Sequence, residues 1–401
     1  MDLSDIAALA QPGDRKVLLL VLDGLGGLAA QPGGKTALET ARTPNLDALV
    51  GLGGCGVQTP VAPGVTPGSG PGHLSLFGYD PLRYRIGRGV LSALGIGFDL
   101  QPGDVAVRGN LCSVDPSGVV TDRRAGRIAA DAARQACDLL AEIQPSGAEA
   151  FVRHVKEHRF LLVLRTNASS SADILDTDTG RTGVPPRPIT ARSQGAVPAA
   201  SAAREWVERA SFVLADHKPA NMVLLRGFAS LPDWPRFPDV FQMRALAIAA
   251  YPMYLGVARL IGMEAVQVED SPDALAEELE RRVDEHDFFF LHVKGTDKAG
   301  EDGDFERKVS VIEDVDSIVP RLVDAVGGVT LVTGDHSTPA TMKAHSWHPV
   351  PFLLSGGPAR EALTTSFGES ECARGSLGHV NGWDLLPMAA ARAGRLAKYG
   401  A

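Results

Sequence analysis

The sequence predicts an α/β fold, a mainly parallel sheet covered by helices, with a smaller α+β domain inserted into it. Two observations carry that prediction. Short apolar runs, KVLLLVLDG near the start and DFFFLHV and GGVTLVTG near the end, alternate with helical patterns, as buried parallel strands do. Between those ends the pattern changes to strands joined by turns, which suits a separate α+β unit.

Taken in order, residues 16–22 read as a strand, and Thr43 with Pro44 suits the cap and first position of a helix running through Leu49. In the middle, VAVRGNLCSV, the turn Asp115-Pro116-Ser117-Gly118 and VVTDRR make a hairpin, and RFLLVLR and NMVLLRG supply further strands. The Pro- and Gly-rich residues 182–194 and DWPRFPDV at 233–240 read as loops or linkers. Alternation then resumes. Ser271 and Pro272 open a helix with Leu275, Leu279 and Val283 on one face, and 287–293 is a strand. A helix from Phe305 turns Val309, Ile312, Val315 and Val319 inward before a strand at 329–332. The expected division is 1–100 with 236–401 for the larger domain and 101–235 for the insert.

At 401 residues the chain suits two domains, and 44% hydrophobic with 22% charged residues is an ordinary globular composition. Cys55, Cys112, Cys137 and Cys372 form no CxxC pair, which argues against a thiolate metal site or a disulfide framework. A net charge of -9 argues against general nucleic-acid binding. The opening MDLSDIAALAQPGD lacks the basic flank and apolar core of a signal peptide, and no apolar run approaches the length of a membrane span. A soluble, cytoplasmic protein with no membrane partner is expected.

Each strand-like run breaks off into potential ligands: Asp23 after the first, Asp297 and Glu301 after the second, Asp335, His336 and later His345 after the third. Open parallel sheets carry their ligands at the carboxyl ends of strands, and this much oxygen and nitrogen suits two divalent ions. Asp335 and His336 can bind one while His345 reaches a neighbour, and paired ions suit phosphoryl transfer because they stabilise attacking and leaving oxygens together. Ser69, in TPGSGPGHLSLFGYD, falls in a loop of tight turns and exposed backbone, which holds a nucleophile open beside amide groups. His73 reads equally as a structural or a substrate-side group, and His348 as a rim residue.

Two other strings fail. GGKT at 33–36 lacks the leading glycine of a phosphate-binding P-loop because Ala29 stands there. Gly24, Gly26 and Gly27 misplace the third glycine of a dinucleotide fingerprint, and Asp23 would repel pyrophosphate. No nucleotide is expected, and GSG lacks the spacing of an acyl-transfer elbow. In the insert, Arg123, Arg124 and Arg127 of DRRAGR and His158 with Arg159 of EHRF suit a phosphorylated acid, because guanidinium forks match carboxylate and phosphate.

Together, VLDGLGG, ARTPNLDAL, PGSGPGHLSLFGYDP, GDVAVRGN, TDRRAGRI, AIAAYPMYLGVARLIGM, HVKGTD, TGDHSTP and HSWHPVP resemble, nearly end to end, the archaeal-type branch of the cofactor-independent phosphoglycerate mutases, in the alkaline phosphatase superfamily. The resemblance implies an alkaline-phosphatase-like core and an isomerase of glycolysis and gluconeogenesis. Such an enzyme interconverts 3-phosphoglycerate and 2-phosphoglycerate through a phosphoserine, with two divalent ions, Mn or Mg, and without 2,3-bisphosphoglycerate. The resemblance further implies Ser69 as nucleophile, with Asp23, Ser69, Asp335 and His336 around one metal. Asp297, residue 301 and His345 would surround the other, with Lys294 neutralising the transferring group. Arg123, Arg127, His158 and Arg159 would hold the substrate carboxylate and phosphate when the domains close.

One position departs. The family commonly reads DxAGHDG where this chain has DKAGEDG, which puts Glu301 in place of a His ligand and favours a harder ion. The same ligands would also serve a metal-dependent phosphatase or phosphomutase acting on another small phosphorylated substrate, with water exclusion by the insert deciding between transfer and hydrolysis.

Overall fold

The computed structural model describes residues 2–166, 170–360 and 362–400. The chain divides into two compact units, Met1–Arg85 with Trp234–Ala401, and Ile86–Asp233. In chain order the strands are β1 (Val17–Leu22), β2 (Cys55–Thr59), β3 (Val105–Val114), β4 (Val120–Asp122), β5 (Ala148–Lys156), β6 (Arg159–Thr166), β7 (Met222–Ala229), β8 (Ala245–Ala249), β9 (Glu264–Gln267), β10 (Phe288–Val293), β11 (Val329–Thr333), β12 (Val350–Ser355) and β13 (Gly378–Asn381).

In the first unit the strand order is β13-β2-β12-β11-β1-β10-β8-β9. The stretch from β11 to β9 is parallel, and β12 pairs antiparallel on both sides. Every residue of β1, β10 and β11 is buried, which is why those segments read as unbroken apolar runs. One face of the sheet, with Leu18, Leu20, Phe289 and Leu291, packs against Leu275 and Leu279 of the helix Pro272–Arg282 and Ile312, Val315 and Val319 of the helix Phe305–Val326. Each such side chain contributes about 1.5–3 kcal/mol on burial. The Ser271 hydroxyl caps the first of these helices by accepting from the Ala274 N–H at 3.2 Å. Thr43 makes no such bond, although Pro44 does open the helix Pro44–Leu52.

The register sets up the site. β1 lies between β10 and β11, with Leu22 opposite Val293 and Val21 opposite Thr333. The residues that follow these three strands therefore emerge side by side.

In the second unit the order is β4-β3-β6-β5, with β7 also paired to β3, and every pairing is antiparallel. The Asp115 carboxylate closes the β3–β4 turn by accepting from the Ser117 and Val119 N–H groups. The helices Ala130–Ala141 and Val197–Val213 join this unit's core through Ala136, Cys137, Leu140, Ala199, Ala203 and Trp206. This unit starts at Ile86, ahead of residue 101. The reason is the helix Arg88–Gly95, whose Gly89 lies so close to β3 that a Cβ there would sit 2.0 Å from the Ala106 carbonyl oxygen. Among the described residues no helix is long and apolar enough to cross a membrane.

Candidate functional site

Asp23 follows β1, Lys294 follows β10, and Asp335 with His336 follows β11. Asp23 is fully buried. Its Oδ2 accepts from the Tyr254 hydroxyl, from His292 Nε2 at 2.9 Å and from Lys294 Nζ at 3.1 Å, while Oδ1 has no hydrogen-bond partner. Asp335 is built alike: Oδ1 accepts from the Gly24 N–H at 3.0 Å, and Oδ2 has no hydrogen-bond partner. Burial and the Asp335 carboxylate press the Asp23 carboxyl upward, but His292 and Lys294 outweigh them and hold it below the usual range. Asp335 is held low against burial by His336 and His73. Two buried, ionised carboxylates with an orphaned oxygen each are costly unless a cation completes them.

The imidazoles present lone pairs to the same space. The Thr338 hydroxyl donates to Asp297 Oδ1 at 2.7 Å, so at its 3.0 Å contact with His336 Nδ1 the imidazole N–H is the donor. That leaves the His336 Nε2 lone pair 3.2 Å from Asp335 Oδ2, 3.3 Å from Ser69 Oγ and 3.4 Å from Asp23 Oδ1. Burial keeps His336 below the usual imidazole range, against the pull of Asp335 and Asp23. His345 is set in the same manner. Its Nδ1 donates to the Pro67 carbonyl at 3.0 Å, and Nε2 faces Asp297 Oδ1 at 3.6 Å and Glu301 Oε1 at 3.7 Å. Potential ligand atoms therefore gather in two groups, Asp23, Asp335 and His336, and Asp297, His336 and His345. Carboxylate oxygens beside imidazole nitrogens fit divalent metal, and the Asp23 and Asp335 oxygens without a hydrogen-bond partner point the same way.

Glu301 stands at the edge, its side chain 55% exposed, and belongs to neither tight group. His336 joins both, where the resemblance placed it only with Asp23, Ser69 and Asp335. Lys294 Nζ also donates to Asp297 Oδ2 at 2.6 Å; burial opposes its charge, but Asp23 and Asp297 more than offset that and raise it above the ordinary lysine value.

Ser69 is not in a free loop. It is the first residue of the helix Ser69–Leu76, where the positive end of the backbone dipole favours an anion. The glycines serve close packing as well as turning: a Cβ at Gly72 would lie 2.5 Å from the Asp335 carbonyl oxygen. His73, one turn on and fully buried, donates from Nδ1 to the Ser69 carbonyl at 2.8 Å and lies 3.2 Å from Asp335 Oδ2. His348 pairs with Ser346 Oγ at 3.0 Å and joins neither ligand group.

Sequence reasoning missed Tyr254, His292 and Lys308. Tyr254 and His292 stack with centroids 3.7 Å apart and share Asp23 Oδ2. A signal existed for two of the three: His292 interrupts the apolar run of β10, and Lys308 falls on the inward stripe with Ile312 and Val315.

In the second unit, Arg123 is paired with Asp178, donating from Nη2 and Nε at 2.6 and 2.9 Å. Arg127 is exposed, in a turn held by the Asp122 carboxylate through the Arg124 and Gly126 N–H groups at 2.8 Å each. His158 is buried, its Nδ1 without a hydrogen bond and 3.7 Å from Glu157 Oε2; burial and then Arg159 hold its imidazole below the usual value. A set of arginines not anticipated from the sequence gathers beside Arg159. Arg108 on β3 is directly opposite Arg226 on β7, and Asn110, on the same face, is opposite Arg159 on β6. Burial, then Arg88, Arg159 and Arg226, all disfavour the Arg108 charge, and its Nε has no partner.

A mainly parallel α/β sheet that places carboxylate–imidazole groups and a helix-borne serine at its strand ends defines a metalloenzyme. The Metalloenzyme superfamily profile matches residues 15–391. A probable 2,3-bisphosphoglycerate-independent phosphoglycerate mutase of Thermus thermophilus is 47% identical over 398 residues, covering 98% of each chain. One of Deinococcus radiodurans is 44% identical over 408 residues, covering 100% of this chain and 99% of that one. Among solved structures, a cofactor-independent phosphoglycerate mutase of Thermoplasma acidophilum superposes with a TM-score of 0.74 at 28% identity, covering 94% of this chain and 100% of that one. The chain belongs to the 2,3-bisphosphoglycerate-independent phosphoglycerate mutases of the metalloenzyme superfamily.

Proposed function

We propose that this protein interconverts 3-phosphoglycerate and 2-phosphoglycerate in the cytoplasm, in glycolysis and gluconeogenesis, through a phosphorylated Ser69 and with two divalent ions, Mn or Mg. The carrying observation is the 3.3 Å approach of Ser69 Oγ to His336 Nε2, beside carboxylates with unpartnered oxygens. Asp23, Ser69, Asp335 and His336 would hold one ion and Asp297, His345 and Glu301 the other, with His336 near both. When bound, such ions lower the pKa of the serine hydroxyl and offset charge on the phosphoryl oxygens.

The side chains supply the remaining chemistry. Ser69 Oγ attacks phosphorus as the bond to the substrate 3-oxygen breaks, and the serine proton ends on the freed 3-hydroxyl. After glycerate turns, its 2-hydroxyl attacks the phosphoserine and its proton returns to Ser69 Oγ. Nothing else is consumed. The Lys294 ammonium, kept charged by Asp23 and Asp297, would neutralise the moving phosphoryl group. In the second unit, Arg108, Arg127, His158, Arg159 and Arg226 would bind the carboxylate and phosphate of the substrate, with Arg123 acting through Asp178.

Conversion of 3-phosphoglycerate is measured by coupling to enolase with Mn and no 2,3-bisphosphoglycerate, alongside mass spectrometry of the Ser69 peptide. Turnover with a phosphorylated Ser69 is the expected result. Release of inorganic phosphate without 2-phosphoglycerate would assign a phosphatase instead.

A further inference from the structure

Lys308 is fully buried on the helix Phe305–Val326. Its Nζ donates to three backbone carbonyls, Gly24 at 2.8 Å, Thr338 at 2.9 Å and Gly26 at 3.1 Å. All three ammonium protons are thereby spent on neutral oxygens, and the carboxylates that act on Lys308, led by Glu369, do so without a hydrogen bond. Carbonyl dipoles from two separate loops, aimed at one point, repel one another, which the Thr338 N–H, shared between the Gly24 and Gly26 carbonyls at 3.3 and 3.0 Å, relieves only in part; a ring of backbone oxygens of this kind is how proteins coordinate a monovalent ion.

The two loops carry the ligand groups. Gly24 adjoins Asp23, and its N–H holds Asp335. The Thr338 hydroxyl holds Asp297 and contacts His336, while the Thr338 N–H bonds the Gly26 carbonyl at 3.0 Å. Glycine is needed for this approach: a Cβ would lie 1.9 Å from Ser337 Oγ at Gly26, and 2.3 Å from the Thr338 carbonyl oxygen at Gly300.

We propose that Lys308 is a tethered monovalent cation, whose ammonium fills a carbonyl cage that locks the loops after β1 and β11. It thereby positions the side chains of both ligand groups, and the cage accepts a free potassium or ammonium ion once the tether is cut. The positioning half rests on the metal reading above; the cage half does not.

Lys308→Met keeps the aliphatic stem and removes the ammonium, leaving an ion-sized space. For the metal-free variant, the melting temperature is expected to rise by about 2 °C or more in potassium or ammonium chloride relative to choline chloride at equal ionic strength, by mass action on the native state. The parent should not distinguish these salts. With Mn added, affinity in choline chloride should fall about 10- to 100-fold from the parent, the usual loss when a ligand-orienting partner is removed, and recover in potassium. Equal melting temperature and equal Mn affinity in potassium and choline, at whatever level, overturns the proposal. If the variant does not fold in choline chloride, refolding yield is read in the same salts: recovery only with potassium or ammonium supports the cage, and no recovery in any salt overturns it.

Discussion

In the first unit, buried carboxylate oxygens outnumber the cations that face them: Asp23 Oδ1 and Asp335 Oδ2 each lack a hydrogen-bond partner despite Lys294 and His73 nearby. In the second, the guanidiniums around Asp178 outnumber it: Asp178 pairs with Arg123 at 2.6 Å and with Arg226 at 3.9 Å, while Arg108 faces Arg226 across the strands and its Nε has no hydrogen-bond partner. Each unit is electrostatically incomplete, and in opposite senses. Unpaired buried charge costs stability, so both arrangements are intelligible as halves of binding sites, one for cations and one for an anion.

The largest test of that contrast removes the nucleophile. Ser69→Ala should lower mutase turnover by about 10⁴-fold or more, as loss of a covalent nucleophile does, with metal content and melting temperature near the parent. Chelation of the metals should match that loss and be reversed by Mn. Substantial activity in folded Ser69→Ala protein would remove the covalent role and leave the first unit only a metal store.

Arg108 probes the second half. Arg108→Met should weaken apparent 3-phosphoglycerate affinity by about 10- to 100-fold, the range for losing a hydrogen bond to a charged group. Because like charges directly opposite across strands are destabilising, the same variant should melt no lower than the parent. A lower melting temperature with unchanged kinetics would mean that the arginines balance one another internally, and the contrast between the units would fail. Arg159→Ala should behave similarly, again without loss of metal.

Asp178 separates structural from substrate-facing charge. Its carboxylate is almost fully buried, and although burial opposes ionisation, Arg123 holds it below the usual range. Asp178→Asn should cost about 2 kcal/mol at neutral pH, discounted from the cost of breaking a fully buried pair because Arg123 is partly exposed. A depressed folded-state pKa contributes stability above the ordinary carboxylate range that is lost as pH falls toward the folded value. The difference between parent and variant should therefore shrink below about pH 4, the ordinary aspartate range. A constant difference down to pH 3 would deny the ion pair its role.

The legible parts of the molecule are those where one physical signal dominates. Strands buried on both faces have no polar residues to blur them, so β1, β10 and β11 stand out, and with them the ligands at their ends. β5 was not legible, because its exposure is irregular along its length. The helix Val197–Val213 was missed because it buries mostly alanine, whose small side chain marks a face weakly. Asp23, Ser69 and Asp335, which the resemblance grouped with His336, have side-chain oxygens 3.2–3.4 Å from His336 Nε2, whereas the arginine set was not anticipated. Arg88, Arg108, Arg159 and Arg226 meet only through the register of β3 with β6 and β7, which no local spacing encodes.

Glu301 offers the smallest and sharpest test. It shares the helix Gly295–Asp302 with Asp297, four residues apart and so on one face, yet Asp297 is buried while the Glu301 side chain is 55% exposed and 3.7 Å from His345 Nε2. An exposed carboxylate is solvated and loses rotamer freedom when fixed, so its net contribution is small. Glu301→Ala should therefore weaken the second ion only about 2- to 5-fold, in line with a partly solvated charge, and leave the ion at Asp23, Asp335 and His336 untouched. Asp297→Ala should cost far more, since it removes a buried carboxylate whose Oδ2 accepts from Lys294 and whose Oδ1 accepts from Thr338 and faces His345. Metal content of the two variants, measured after the same dialysis, decides the point. An equal loss in both would show Glu301 to be a full ligand that turns inward when the ion binds, and the oxygen excess of the first unit would then be larger than its buried carboxylates alone provide.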